Sequence, residues 1–229
     1  VYDVAFAADN SAFALYDGRA WRSTDDGQTW QPLTSTPIER LGELGLSPDG
    51  GTLLASVDTH LYRYDVGSGE FVTVTTQPAL SNIRRIVFSP AFAADQTVLV
   101  GTNDGVWRSS DGGQTFVRSA GFAPLTVFSI AAAGNVLAGD LYVGTEGGVW
   151  RHSGATWEPL NAGLGFGDPI PINSVALSPA YAQDQTVFAA GGDYSGLGGW
   201  IYRSTDRGQS WQRLFGTEYI VQIAVSPDY

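Results

Sequence analysis

One eight-residue phrase occurs three times at wide intervals: STDDGQTW at 23–30, SSDGGQTF at 109–116 and STDRGQSW at 204–211. Each copy follows an aromatic–arginine pair: Trp21-Arg22, Trp107-Arg108 and Tyr202-Arg203. A second phrase recurs with it, IVFSPAFAADQTVLV at 86–100 and VALSPAYAQDQTVFA at 175–189. Weaker copies of the combined unit span 4–27, 44–67 and 130–154, and IAVSPD at 223–228 opens a sixth. Counted from the Ser-Pro position, the units start at Ala7, Ser47, Ser89, Ala133, Ser178 and Ser226, so the spacings are 40, 42, 44, 45 and 48 residues.

A period of roughly 40–50 residues is that of β-propeller blades. Each unit reads as four short strands, A to D. Strand A is apolar and ends at Ser-Pro, as in Ile86 to Phe88. Strand B is a run such as Val98 to Val100 or Val187 to Ala190, strand C carries the aromatic–arginine pair, and strand D opens at the last aromatic of the phrase. Gly, Asp, Asn and Pro separate the runs, and no useful length shows helical periodicity. The expected fold is all-β: one β-propeller of four-stranded antiparallel blades over 1–229, about five blades plus one extra strand. The units run over 1–40, 41–82, 83–126, 127–171 and 172–219, with a sixth starting at 220–229. An orphan strand after five whole units, in a chain without Met, predicts a larger parent ring of seven or eight blades. The missing blades would come from the same protein or from another chain.

The eight-residue phrase falls in the C–D turn, where every member has a folding task. Asp25, Asp111 and Asp206 can accept backbone N–H bonds from their own turn. Gly27, Gly113 and Gly208 supply positive φ. Ser23, Thr29, Ser109, Thr115, Ser204 and Ser210 can satisfy other turn groups. Trp30, Phe116 and Trp211 can wedge between neighbouring sheets. Unit two keeps only Asp65 and Phe71 of the phrase, and unit four is reduced to HSGATW at 152–157. A calcium site fits poorly, because one carboxylate per turn falls short of the 6–8 oxygens that ion takes. No metal and no cofactor is expected.

The phrase resembles the Asp-box, or bacterial neuraminidase repeat, and the resemblance covers essentially the whole chain. Propellers sharing it include sialidases, xyloglucan-degrading glycoside hydrolases, the sortilin receptor domain and photosystem II assembly factors. SPAFAADQTV and GGVWR resemble secreted bacterial repeat proteins of the last, non-enzymatic sort. The resemblance implies a non-catalytic extracellular, cell-surface or periplasmic module that binds a protein or a carbohydrate. The alternative is a glycoside hydrolase, which needs two carboxylates across a cleft. The sialidase set of an arginine triad, a Tyr-Glu pair and an Asp acid has no matching positions here.

Other residues weigh less. The arginine before the turn recurs in all five units, as Arg22, Arg63, Arg108, Arg151 and Arg203, which reads as a packed stem with a head bonded to turn groups. His60 and His152 stand in different units with no ligand set around them. Asp58, Asp104, Glu146 and Asp193 are loop acids that sequence alone does not pair. Binding is expected on the face carrying the two longest connections, 161–171 and 191–200, with Phe166, Tyr194 and Trp200 as contact candidates. A net charge of −11 argues against nucleic acid and anionic lipid as partners. No apolar run is long enough for membrane insertion as a helix.

Overall fold

The computed structural model describes residues 3–6, 11–33, 41–65, 68–76, 78–136, 139–154, 156–165, 169–192, 198–217 and 220–229. They form two compact units, Val1–Ala120 and Gly121–Tyr229.

The first unit holds three four-stranded antiparallel meanders. Blade one is β1 (Asp3–Phe6), β2 (Ala12–Tyr16), β3 (Arg19–Ser23) and β4 (Gln31–Pro32). Blade two is β5 (Glu43–Leu46), β6 (Leu53–Val57), β7 (His60–Asp65) and β8 (Glu70–Val74). Blade three is β9 (Ile83–Phe88), β10 (Val98–Thr102), β11 (Gly105–Ser109) and β12 (Val117–Arg118), with a one-turn helix α1 (Phe92–Asp95) between its first two strands. The second unit holds two more. Blade four is β13 (Val127–Ala132), β14 (Asp140–Thr145), β15 (Gly148–Ser153) and β16 (Thr156–Pro159). Blade five is β17 (Ile172–Leu177), α2 (Tyr181–Asp184), β18 (Val187–Gly192), β19 (Gly199–Ser204) and β20 (Gln212–Thr217).

The second strand of each blade carries the core. In β10 all five residues are buried, and in β2 four of five. Such strands are covered on both faces, which explains their unbroken apolar runs. Within each unit the first strand of a later blade lies on the first two strands of the blade before it: β5 on β1 and β2, β9 on β5 and β6, β17 on β13 and β14. Side chains meeting there, such as Leu54, Leu61, Ile86 and Val100, or Tyr142, Ile172, Val175 and Val187, are the cores. Each fully buried aliphatic side chain contributes about 1.5–3 kcal/mol. Gly45 makes room for this stacking, because a Cβ there would stand 2.4 Å from Ile86 Cγ2.

A serine marks each step in the second unit. Ser129 Oγ on β13 accepts the Val175 N–H on β17 at 3.1 Å, and Ser174 Oγ on β17 accepts the Ile223 N–H at 3.1 Å. The segment around Ile223 thus meets blade five as β17 meets blade four.

The helices correct the expectation of none. Four residues are too few to show a period, and both turns are set by side chains. Ser89 Oγ donates to Asp95 at 2.6 Å and accepts the Ala91 N–H, while Asp95 accepts the Thr97 N–H. Ser178, Asp184 and Thr186 repeat this pattern. Gln96 and Gln185 end the helices in the left-handed region, and their carbonyls accept N–H bonds from Gly112 and Arg207 in the C–D turns. The A–B and C–D turns therefore share one end of each blade. The B–C and D–A connections lie at the other.

Candidate functional site

The three eight-residue turns have one geometry. Ser23 Oγ donates to Asp25 Oδ1 at 2.7 Å and accepts the Gly27 N–H at 2.9 Å. Asp25 in turn accepts the Thr29 N–H at 2.8 Å and the Thr29 hydroxyl at 2.6 Å. Ser109, Asp111, Gly113 and Thr115 repeat the set, with the Gln114 N–H added. Ser204, Asp206, Gly208 and Ser210 repeat it again. Gly27, Gly113 and Gly208 sit at φ between +81° and +86°, which only glycine adopts without strain. The carboxylates accept several donors each, and that favours their charged form. The hydroxyl of Thr29, with its N–H, holds the Asp25 carboxyl down to about 2. Burial raises the Asp111 and Asp206 carboxyls, but the hydrogen bonds outweigh it and both are lowered.

The closing aromatics differ. Phe116 is buried with Leu54 and Leu61 of blade two. Trp211 donates its Nε1–H to the Leu160 carbonyl oxygen at 2.8 Å, reaching from blade five to blade four. Trp30 bonds the Gly27 carbonyl oxygen in its own turn at 2.9 Å and stays half-buried. The Ser23, Asp25 and Thr29 side chains and their counterparts in the other two copies bond within their own turns. Nothing in that arrangement aims a reactive group at a substrate.

The other end of the first unit is different. Three successive B–C turns present Asp17, Asp58 and Asp104 there. Asp17 and Asp58 are exposed and left-handed, at φ 51° each. Asp104 is fixed: its Oδ1 accepts the hydroxyls of Thr102 at 2.6 Å and Ser81 at 2.8 Å, and the Trp107 indole N–H at 3.4 Å. Burial raises the Asp104 carboxyl, but those hydrogen bonds and the Arg118 charge win and its pKa is lowered. It stays ionised at neutral pH, as a base or nucleophile must, while a general acid must hold its proton.

An aromatic group stands beside two of these turns. The Tyr16 and Trp21 rings meet edge to face at 6.3 Å next to Asp17, and Tyr16 is 54% exposed. His60 and Tyr62 lie 6.5 Å apart next to Asp58. Carboxylates beside aromatic faces suit a sugar ring, with hydroxyls to bond and an apolar C–H face to stack. The acids Asp58 and Asp104 were visible as loop residues in the sequence. Tyr62 carries no signal of its own in the sequence because the repeat itself accounts for an aromatic on strand C.

In the second unit Glu146 occupies the corresponding turn and accepts the Thr126 N–H at 3.1 Å. Phe166, Tyr194 and Asp193 lie outside the described residues. Trp200 is half-buried against the core of blade five, with the Arg213 guanidinium 4.2 Å above its ring, so only part of it is open to a partner. His60 is exposed at the start of β7, and His152 lies in β15 beside Trp157. Among the described residues no three His, Cys, Asp or Glu side chains gather as metal ligands. No helix is long and apolar enough to cross a membrane.

The BNR/Asp-box repeat profile matches residues 21–32 and 202–213. The chain carries Asp-box repeats on a β-propeller fold. Solved propellers align along nearly all of this Asp-box chain. An ancestral GH74 enzyme matches with a TM-score of 0.73 at 18% identity, covering 93% of this chain and 31% of that one. The GH74 xyloglucanase from Xanthomonas campestris matches at 0.70 and 22%, over 92% of this chain and 38% of its own. An extracellular domain from B. thetaiotaomicron matches at 0.72 and 13%, over 95% and 28%. The xyloglucanase of Hypocrea jecorina (strain QM6a) is 26% identical over 199 residues, 86% of this chain and 22% of the relative. The Asp-box chain thus spans less than half the length of each of these proteins.

These relatives overturn the expectation of a non-catalytic interaction module. The curated relative is a xyloglucanase, and GH74 enzymes stand among the solved neighbours. The error has a physical source. SPAFAADQTV forms the A–B turn with its one-turn helix, and GGVWR forms a B–C turn and strand C, so they report the fold and not its chemistry.

Proposed function

We propose that this chain is a propeller portion of an extracellular glycoside hydrolase acting on a xyloglucan-like β-glucan. The observation that carries the reading is the 26% identity to a xyloglucanase over 86% of this chain. The B–C end of the first unit supports it. Asp104 is ionised and held at Oδ1, which suits the base or nucleophile of glycoside hydrolysis. Asp17 and Asp58 supply further carboxylates from the neighbouring blades, and Tyr16, Trp21 and Tyr62 offer ring faces for sugars. An extracellular setting follows from a polysaccharide too large to be taken up whole.

The test is hydrolysis of xyloglucan by the protein that carries this chain, with Asp104→Asn and Asp58→Asn alongside. Loss of a catalytic carboxylate lowers kcat by about 100-fold or more. Wild-type activity in both variants would remove this end of the blades from the reaction. Hydrolysis of no β-glucan at all would remove the reading itself.

A further inference from the structure

The strand-C arginines differ in the residue that stands opposite: Gln31 for Arg22, Gln212 for Arg203, and a glutamate or a valine for the other three. In blade four, Arg151 lies across from Glu158 on the next strand. Its Nε donates to Glu158 Oε1 at 2.9 Å, its Nη2 donates to the same oxygen, and its Nη1 donates to the Arg207 carbonyl oxygen at 3.1 Å. In blades two and three the residue opposite the arginine is a valine: Val72 faces Arg63 and Val117 faces Arg108. A valine accepts nothing. The Nε atoms of Arg63 and Arg108 are buried without a hydrogen-bond partner among the described residues, and so is that of Arg22.

Arg63 also borders an open space. A cavity of about 350 Å³ is lined by Arg63, Asp65, Val72, Thr73, Val74, Thr75 and, from the blade-three turn, Gln114. That volume is at the low end of the roughly 300–1,000 Å³ of ligand pockets. Arg22 borders a smaller one of about 210 Å³ with Thr24, Thr29 and Gln31.

We propose that the Arg63 cavity is a binding subsite for an acidic sugar residue, a uronate, whose carboxylate pairs with the outer edge of the Arg63 guanidinium. The chain itself shows what a guanidinium at this position binds when a partner is offered, namely a carboxylate on the strand-D side. Arg–carboxylate pairs are charge-assisted and strong. The rest of the lining fits sugar hydroxyls: Asp65 accepts them, and Thr73, Thr75 and Gln114 both donate and accept. One guanidinium pairs with one carboxylate, and the rest of the lining is suited to hydroxyls, which a run of acidic side chains lacks. The lining runs along strand β8 from the C–D turn, and none of Asp17, Asp58 and Asp104 belongs to it.

Calorimetric titration of the protein with a galacturonate trimer and with its methyl ester tests this. The trimer binds, and the ester binds about tenfold more weakly or less, as expected for loss of a charge-assisted hydrogen bond. Arg63→Gln has the same effect. Val72→Glu is the second variant: it changes a residue that is 57% exposed, supplies Arg63 with an internal carboxylate as Glu158 does for Arg151, and blocks the trimer. Xyloglucan hydrolysis stays unchanged in Val72→Glu, so failure of the hydrolase reading and failure of this one are seen separately. Equal binding of acid and ester, undiminished binding to Val72→Glu, no binding of the trimer, or equal binding of a glutamate peptide would each overturn the proposal.

Discussion

The side-chain hydroxyl of Ser174 accepts the backbone N–H of Ile223 at 3.1 Å. The same bond one blade earlier joins Ser129 to Val175, and there the receiving segment is the inner strand of a complete blade. The match makes Ser174 a docking point for the segment around Ile223. Ser174→Ala leaves a partly buried N–H without an acceptor, at a cost of about 1 kcal/mol. Amide exchange at Ile223 should then speed up about fivefold, with little change at Val175. Unchanged exchange at Ile223 would show that the segment is held by other contacts.

The Asp-box carboxylate has a structural consequence that can be measured. Asp111 takes hydrogen bonds from the Ser109 hydroxyl, the Gln114 and Thr115 N–H groups and the Thr115 hydroxyl. Asp111→Ala should lower stability to urea by about 1–3 kcal/mol through donors left unsatisfied. Asp111→Asn should cost less, because its amide oxygen still accepts. If alanine and asparagine were both neutral, the turn would be held by its glycines alone.

Acid should weaken the fold through the same groups. The Asp25 carboxyl is held down to about 2, and those of Asp49, Asp104, Asp111, Asp184 and Asp206 are also lowered. A carboxyl whose folded pKa is depressed stabilises the fold above its unfolded pKa, about 3.9 for Asp, and loses that contribution as pH falls through the folded value. Melting temperature should therefore drop between about pH 4 and pH 2, and the drop should be shallower in Asp111→Asn. A melting temperature that stays level down to pH 2 would contradict the assigned hydrogen bonds.

Alkali acts on a different cluster. The Tyr181 hydroxyl donates to Asp140 and lies 2.7 Å from the Tyr142 hydroxyl, which is 3.1 Å from the Arg207 carbonyl oxygen. Burial first, and then these neighbours, raise the Tyr181 pKa, and burial also raises that of Tyr142. A raised folded pKa gives stability that is whole below the unfolded value near 10 and fades as pH climbs above it. In an ultraviolet titration these two tyrosines should ionise only as the protein unfolds. Ten tyrosines ionising together near pH 10 in a folded protein would refute the buried network.

The blades were legible because their strongest constraints are local. Asp25, Gly27 and Thr29 must stand at fixed offsets to close one turn, and such offsets recur in the sequence at the blade period. The one-turn helices after Ser89 and Ser178 were not legible, since four residues carry no periodic signal. Half of the candidate site was hidden for another reason. Asp104 is an ordinary loop acid until Ser81, which is 23 positions away, is seen to bond it. Trp200 reads as exposed beside a Gly-rich insert, yet Arg213 from the next strand covers its ring. Long-range partners of this kind leave no trace in spacing.

The most direct test of the central claim is reducing-end release from xyloglucan by the protein carrying this chain, compared with release by Asp104→Asn. The account predicts hydrolysis of xyloglucan by the wild type and at least about 100-fold slower release by a variant that folds and melts like it. A folded wild-type protein that releases no sugar from xyloglucan or any other β-glucan would contradict the glycoside-hydrolase reading.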